Sequence, residues 1–202
     1  KIKCDFIFDC SGFSRLLIQK HYNIKFKDYK DYLPMKRAII APKEIKENLF
    51  PYTKSICMKY GWVFEIPLQY RIGRGYIFDS DYISDEQAVK ELETHYNEKL
   101  KDFRVINFNT GRMEKTWTKN CMSIGLSHSF LEPIESTSIY VTLGQLNTLK
   151  DFIPSLFTKN NSLKQTFNNI MNITLDRISD FIFLHYCTKR KDSLFWKQFK
   201  TK

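Results

Sequence analysis

Apolar and polar positions in the first half of the chain follow the patterns of β-strands. Cys4 to Cys10 is rich in Phe and Ile and predicts a buried strand, which the Ser11-Gly12 step ends in a turn. A short strand is expected at Arg37 to Ala41. Three further apolar runs, separated by short turns, predict an antiparallel sheet: Ser55 to Tyr60, Trp62 to Leu68 and Tyr70 to Asp79.

From Ser84 onward the apolar period changes to that of a helix. Ser84 precedes acidic residues, which is a helix-start signal, and Ala88, Leu92 and Tyr96 recur on one face of a helix expected to end near Leu100. The remaining predicted elements are strands at Phe103 to Phe108 and Lys115 to Ile124, a helix from about Ser136 that Pro154 stops, and a longer helix from Leu163 to His185.

Composition and charge narrow the class of protein. The 202 residues are 43% hydrophobic, which suffices for a buried core, and without a run of about 18 apolar residues no membrane span is expected. Five scattered cysteines without a Cys-x-x-Cys pair argue against a disulfide framework or a metal site, and we read them as buried thiols in a reducing, cytoplasmic compartment. The four histidines show no metal-ligand spacing and are read as satisfied structural residues.

The stretch SFLEPIESTSIY, Ser129 to Tyr140, carries candidate chemistry. Pro133 ends a turn, and a helix that starts near Ser136 leaves its first backbone N–H groups without intrahelical partners, which together with the helix dipole makes an anion site. The Glu135 carboxylate beside that site is placed to orient a cation or to accept a proton. The alternative is an ordinary capped helix, because Ser or Thr before an apolar run is a common N-cap signal.

Four blocks of sequence, in order, carry a family resemblance. Together they resemble the flavin-dependent tryptophan halogenases, and they are DFIFDCSGFSRLLI (Asp5 to Ile18), GWVFEIPLQYRIGRGYIF (Gly61 to Phe78), GRMEKTWTKNCMSIGLSHSFLEPIESTSIY (Gly111 to Tyr140) and DFIFLHYCTKRKDSLFW (Asp180 to Trp196). The resemblance implies an α/β fold, namely part of a glutathione-reductase-type FAD-binding fold. It assigns residues 1–14 and 111–153 to the FAD-binding domain, 15–110 to an inserted β-rich, substrate-side region and 154–202 to a helical C-terminal region.

The resemblance also implies a reaction and its residues. Glu135 falls on the catalytic glutamate, and Thr137 and Ser138 fall on the two residues whose backbone N–H groups hold the halide. In that reaction reduced FAD and oxygen convert halide into hypohalous acid, which travels through a tunnel to a lysine. The lysine delivers the halogen to an aromatic ring, and the glutamate helps to position the lysine. Positions implied to contact the flavin are Gly125, Leu126 and Ile139.

Two positions depart from the family pattern. The Trp-x-Trp-x-Ile-Pro motif, thought to keep the flavin from acting as a plain monooxygenase, has Phe64 in place of its second Trp, which makes hydroxylation more plausible. Ser138 stands where better-known members carry Gly, which leaves the halide preference open. The residues implied to form the wall between flavin and substrate are Trp62, Phe64, Ile66 and Pro67.

Other family features are not found between Lys1 and Lys202. No Gly-x-Gly-x-x-Gly motif occurs, since Gly73 and Gly75 lack a third glycine and a following helix. The resemblance places the dinucleotide fingerprint and the catalytic lysine before Lys1, and the residues that recognise tryptophan after Lys202. We therefore expect the chain to be the middle and later part of a halogenase, inactive by itself.

Three functions are considered for a chain with these features. The first is a halogenase that uses reduced FAD, oxygen and halide on an indole or another electron-rich aromatic substrate, with a separate flavin reductase as partner. This function needs neither nucleic acid nor membrane and is compatible with a homodimer. The alternative on the same fold is a flavin-dependent aromatic monooxygenase. A basic nucleic-acid-binding module would use the net charge of +10, but the lysines are spread among acidic residues and the four blocks stay unexplained.

Overall fold

A computed structural model of the chain shows two compact units, each built from strands and helices. It describes residues 3–45, 50–158 and 160–199. The first unit combines the residues up to Leu33 with Thr110–Phe183, and the second combines Pro34–Asn109 with the residues from Leu184 onward. The assignment of sequence ranges to a FAD-binding domain, an inserted region and a helical region stays a prediction.

Strands dominate the first two thirds of the chain and helices the last third. In chain order the strands are β1 (Ile7–Asp9), β2 (Phe26–Asp28), β3 (Arg37–Ile40), β4 (Lys43–Glu44), β5 (Lys54–Cys57), β6 (Gly61–Pro67), β7 (Arg71–Phe78), β8 (Arg104–Asn107), β9 (Gly111–Met113), β10 (Trp117–Thr118), β11 (Cys121–Ser123) and β12 (Ser129–Phe130). The helices are α1 (Asp85–Tyr96), α2 (Thr137–Phe152), α3 (Asn161–Leu184) and α4 (Leu194–Gln198).

The second unit contains the antiparallel sheet that the sequence predicted. Its strand order is β5-β6-β7-β3-β8, and β4 also pairs with β7. One face of this sheet packs against α1, since Val63 and Tyr76 share a hydrophobic core with Ala88 and Leu92. Because side chains alternate along a strand, Trp62 and Phe64 lie on the opposite face of β6.

The first unit holds two small sheets and the long helices. β1 pairs in parallel with β11, and β11 pairs in antiparallel fashion with β10. The prediction of one strand over Lys115 to Ile124 is therefore wrong, because this stretch is a hairpin whose turn includes Lys119 at φ 48°. β12, β9 and β2 form the other sheet. Trp117 and Met122 of the hairpin pack on helical residues Phe167 and Met171 in the core of this unit.

The helix boundaries follow the expected start and stop signals with one shift. The Ser84 hydroxyl oxygen accepts a hydrogen bond from the Gln87 backbone N–H, and the Gln87 Oε1 atom accepts one from the Ser84 backbone N–H, so the capping box at the start of α1 is confirmed. The helix ends at Tyr96 instead of Leu100, because Asn97 adopts a left-handed conformation at φ 49°. α2 ends at Phe152, two residues before Pro154.

The environment of the cysteines differs from the expectation. None of the five cysteines, all of which lie in the described part of the chain, forms a disulfide, but only Cys121 is buried, so the prediction of buried thiols is wrong for Cys4, Cys10, Cys57 and Cys187. Cys4 and Cys10 lie just outside β1, and Cys57 ends the outermost strand of its sheet, where the chain is open to solvent. None of the helices in the described part of the chain combines the length and the apolar character that crossing a membrane requires.

Candidate functional site

The start of α2 has an unusual backbone. Glu135 (φ 58°) and Ser136 (φ 52°) both occupy the left-handed region, between a short 3-10 turn and the first helical residue, Thr137. Left-handed conformations of residues other than glycine cost roughly 1–2 kcal/mol each and cluster at functional sites. Two in succession hold the Glu135 side chain in an exposed position immediately before a helix N-terminus.

The hydroxyl groups at this junction do not form the N-cap that the alternative interpretation required. Ser136 occupies the N-cap position, yet within the described residues its side chain makes no capping hydrogen bond. The Thr137 hydroxyl points back to the Glu132 carbonyl at 3.4 Å and is buried. Ser138 keeps a negative φ, unlike its two left-handed predecessors, and its carbonyl accepts from Thr142. The first turn of α2 is therefore not capped by these side chains, as a backbone anion site requires.

A buried glutamine anchors α2 to the strand in front of the site. The Gln145 Nε2 amide donates to the Ser123 carbonyl at 2.7 Å and to the Thr116 hydroxyl at 3.0 Å, and only 1% of Gln145 is exposed. Sequence reasoning missed this residue. The signal that was available is spacing, because Gln145 recurs at every fourth residue with Thr137, Val141 and Leu149, which are the buried positions of α2.

The flavin-contacting positions implied by the sequence come together beside α2. Gly125 has φ 66°, and a Cβ placed on it would lie 3.7 Å from the Thr142 Oγ1 atom. Leu126 follows it with 37% of its side chain exposed, and Ile139 in the first turn of α2 is 70% exposed. The backbone of Gly125, which carries no side chain, and the exposed apolar side chains of Leu126 and Ile139 therefore lie in the same region beside α2. Such a surface fits a flat ring system that is apolar on its faces.

Asp9 fixes the turn after β1, in the Asp-Cys-Ser-Gly block. Its Oδ2 atom accepts the backbone N–H groups of Leu17 at 2.9 Å and Ile18 at 2.8 Å, and its Oδ1 atom accepts that of Ser11 at 3.1 Å. Burial opposes ionisation of this carboxylate, but the hydrogen bonds from Ser11, Ile18 and Leu17 outweigh it and lower its pKa. The sequence pattern of the block does not by itself predict this role for Asp9.

His128 lies fully buried in the same unit, three residues after Gly125. Neither ring nitrogen has a hydrogen-bond partner among the described residues, so the reading of a satisfied structural histidine is wrong. Burial, with a smaller contribution from the charges of Arg112 and Arg15, lowers its pKa to about 3. The imidazole is therefore neutral at physiological pH.

The residues assigned to the wall lie on β6, in the second unit. Trp62 is buried, and its indole N–H donates to the Tyr186 hydroxyl at 3.0 Å. The Phe64 ring lies 6.1 Å from that of Trp62, and both belong to one face of the strand, as expected. Ile66 and Pro67 follow as half-buried residues. Sequence reasoning missed the importance of Gly75, which lies on β7 directly opposite Phe64.

Comparisons with known proteins identify the family of the chain. A family model described as tryptophan halogenase matches residues 1–202. The tryptophan 7-halogenase RebH of Lentzea aerocolonigenes is 36% identical over 199 residues, covering 96% of this chain and 37% of that protein. The tryptophan 6-halogenase SttH of Streptomyces toxytricini is 32% identical over 204 residues, covering 98% and 39%.

The solved structure of BrvH, a flavin-dependent halogenase from Brevundimonas sp. BAL3, has a TM-score of 0.92 to this chain at 35% identity, covering 99% of this chain and 41% of that one. The expected α/β fold of the flavin-dependent halogenases is thereby confirmed. The chain spans about two fifths of the length of these relatives. On the evidence of the family match over its whole length, this chain belongs to the tryptophan halogenase family.

Proposed function

We propose that the full-length protein containing this chain is a flavin-dependent halogenase that acts on an indole or another electron-rich aromatic compound. The observation that carries the proposal is the left-handed pair Glu135 and Ser136 at an uncapped helix start, in a chain of this family. A strained turn is retained where the surrounding structure enforces it, and here it sets a carboxylate beside helix N–H groups that the Ser136 side chain does not cap.

In this proposal the start of α2 binds the halide substrate. The backbone N–H groups of Thr137 and Ser138 face the ion, and the helix dipole adds a favourable partial positive charge. A halide has no directional bonding requirement, so converging backbone donors suit it. Ser138 has a side chain that a glycine would lack, and this side chain narrows the space available to the halide. The affinity for a halide should therefore depend on the size of the ion.

The residues next to the halide site fit a flavin. Gly125 offers backbone without a side chain, and Leu126 and Ile139 offer exposed apolar contacts to a ring system. When bound, reduced FAD together with oxygen supplies the oxidising power that makes halide electrophilic. Asp9 holds the turn after β1 through three backbone N–H groups and so keeps the Asp-Cys-Ser-Gly block in place.

Glu135 acts on the halogen-transfer step. Its carboxylate is exposed beside the helix start. There it orients the side-chain amino group of the catalytic lysine, which carries the halogen, and it stabilises the positive charge that develops on the aromatic ring. Trp62 and Phe64 form the wall that keeps the substrate apart from the flavin. The family relatives favour halogenation over the monooxygenase alternative, although Phe64 replaces a Trp at that wall.

The partners follow from the same chemistry. A separate flavin reductase supplies reduced FAD, and the protein acts on a small aromatic compound in the cytoplasm, without nucleic acid or membrane. A homodimer is compatible with this proposal.

The test uses the full-length protein with reduced FAD, oxygen, bromide and indole. We expect a brominated product by mass spectrometry, and we expect Glu135→Gln to lower its rate at least about a hundredfold, as loss of a positioned charge in an active site does. Flavin affinity should not change in this variant. A product that gains oxygen whether or not bromide is present would overturn the proposal in favour of a monooxygenase.

A matched control separates charge at Glu135 from charge nearby. Glu114 is an exposed carboxylate in the same unit, and Glu114→Gln should leave bromination within about twofold of the unmodified protein, as expected for surface positions. Equal bromination rates in Glu135→Gln and Glu114→Gln would reject the role assigned to Glu135.

A further inference from the structure

A cavity of about 580 Å³ lies on the sheet of the second unit, next to Phe64. Its location follows from strand register. Arg104 on β8 is opposite Ile40 on β3, Ile40 is opposite Gly75 on β7, and Gly75 is opposite Phe64 on β6. Directly opposed residues project from the same face of a sheet, so these four form one row, on the face that does not contact α1.

Two glycines on β7 differ in what lies above them, and only Gly73 lines the cavity. A Cβ placed on Gly75 would lie 2.4 Å from the Cζ atom of Phe64, so the Phe64 ring occupies the space above this glycine. A Cβ placed on Gly73, two residues earlier on the same face, would meet nothing closer than the Ile66 carbonyl at 3.6 Å. The sheet surface over Gly73 is therefore open, and the Phe64 ring and Ile40 bound it as apolar walls.

Three cations border this open surface. Arg71, Lys101 and Arg104 line the cavity, and none of them forms an ion pair with another residue in the described part of the chain. Arg74 also lines it but is committed to the fold, since it pairs with Glu98 and donates to the Ala41 carbonyl. Asp102 is the single carboxylate among the lining residues. The cavity thus carries an excess of unpaired positive charge beside an aromatic wall.

We propose that this cavity binds the carboxylate of an aromatic acid, so that the compound to be halogenated carries a net negative charge. The proposal rests on the proposed function, in which Phe64 bounds the substrate side of the protein. Guanidinium groups bind carboxylates in a bidentate manner, and an aromatic ring gains contact area against Phe64 and Ile40. The volume lies within the range of about 300–1,000 Å³ that is usual for small-molecule pockets.

Charge also predicts what the cavity selects against. An amino acid carries an ammonium group as well as a carboxylate, and a cavity with three unpaired cations and one acid repels that ammonium. An aromatic acid without an amino group should therefore bind better than the corresponding amino acid. Indole-3-propionate and L-tryptophan have the same ring and side-chain length and differ by this one group, so they are a suitable pair of probes.

The test measures dissociation constants by calorimetry on the full-length protein. We expect indole-3-propionate to bind about tenfold more tightly than indole-3-propionamide or L-tryptophan, because one charge-assisted contact is worth about that factor.

The variant Arg104→Gln should weaken binding of the acid about tenfold and leave binding of the amide unchanged. Gly73→Val, whose side chain enters open space, should weaken both ligands. Lys191→Gln, an exposed charge outside the cavity, should change neither.

Equal affinity for acid and amide, or tighter binding of L-tryptophan, would overturn the proposal, as would an acid affinity that Arg104→Gln does not change. Bromination assays keep this outcome distinct from the proposed function. Bromination of both acid and amide with equal KM would support the halogenase and reject the carboxylate site. Selective binding of the acid without bromination of either compound would support the carboxylate site and reject the halogenase.

Discussion

Gln145 in the middle of α2 donates a hydrogen bond of 2.7 Å to the backbone carbonyl of Ser123 at the end of β11. Ser123 directly precedes the segment that contains Gly125 and Leu126, and α2 begins at Thr137. One buried amide thus links the strand before the candidate flavin contacts to the helix whose first turn is the candidate halide site.

Loss of the link should reduce stability measurably. We expect Gln145→Ala to lower the free energy of unfolding of the full-length protein by about 2–3 kcal/mol, since two hydrogen bonds are lost and a cavity is created. Asn147 is exposed on the same helix, and Asn147→Ala should stay within about 0.5 kcal/mol. Urea unfolding curves measure both. A Gln145→Ala midpoint equal to that of the control would contradict the anchoring role.

Asp9 should stabilise the protein in its ionised form. Its folded pKa lies below the ordinary value of 3.8, so its contribution is present above that value and is lost as pH falls through the lower folded pKa. At pH 7 we expect Asp9→Asn to cost about 1–3 kcal/mol, because a charged acceptor of backbone N–H groups is lost. The difference from the unmodified protein should shrink below about pH 4.

Asp5, an exposed carboxylate nearby, provides the control for Asp9. Asp5→Asn should leave the unfolding midpoint at pH 7 unchanged. Thermal unfolding at a series of pH values from 3 to 7 distinguishes the two variants, and a constant difference between Asp9→Asn and the unmodified protein across that range would refute the charge-based explanation.

His128 should make the protein sensitive to mild acid. The folded pKa of about 3 lies below the ordinary value of 6.5, so the unfolded chain binds a proton that the folded chain excludes, and stability falls as pH drops below 6.5. Between pH 7 and pH 5 this group alone should remove about 2 kcal/mol. His128→Met, which cannot titrate, should flatten that part of the pH–stability curve.

The exposed His95 serves as the comparison for His128. His95→Met should retain the full loss of stability between pH 7 and pH 5. Chemical unfolding at both pH values measures the change. An unaltered pH dependence in His128→Met would show that other groups cause the acid sensitivity.

The hydroxyl of Tyr186 satisfies a buried donor at the proposed wall. Tyr186→Phe removes the acceptor of the Trp62 indole N–H, and an unpaired buried donor costs about 1–3 kcal/mol. We expect a lower unfolding temperature and a change in tryptophan fluorescence. Tyr70 is exposed in the same unit, and Tyr70→Phe should change neither quantity. Identical behaviour of the two variants would mean that this hydrogen bond is of no energetic consequence.

Local sequence was sufficient for much of the fold. The strands β6 and β7 and the start of α1 were predicted because their signals are local, namely alternation, short turns and the Ser84 capping box. Lys115 to Ile124 was predicted as one strand because a left-handed residue at Lys119 has no side-chain signature, whereas glycine would have given one.

The identity of the candidate site was also available from the chain, since Glu135, Thr137 and Ser138 were recognised from contiguous blocks. Their conformation was not available. Left-handed Glu135 and Ser136 resemble a capped helix start in sequence, and only packing of the surrounding turn decides between the two.

By itself, then, the sequence identified the family and predicted the longer strands, the main helices and the residues of the candidate site, because these predictions depend on neighbours along the chain. The tertiary structure alone decided the burial of His128 without a hydrogen-bond partner among the described residues, the anchoring of α2 through Gln145 and the row of Arg104, Ile40, Gly75 and Phe64 across the sheet. Each of these depends on packing between separate segments of the chain, and no local pattern of apolar and polar side chains encodes that packing.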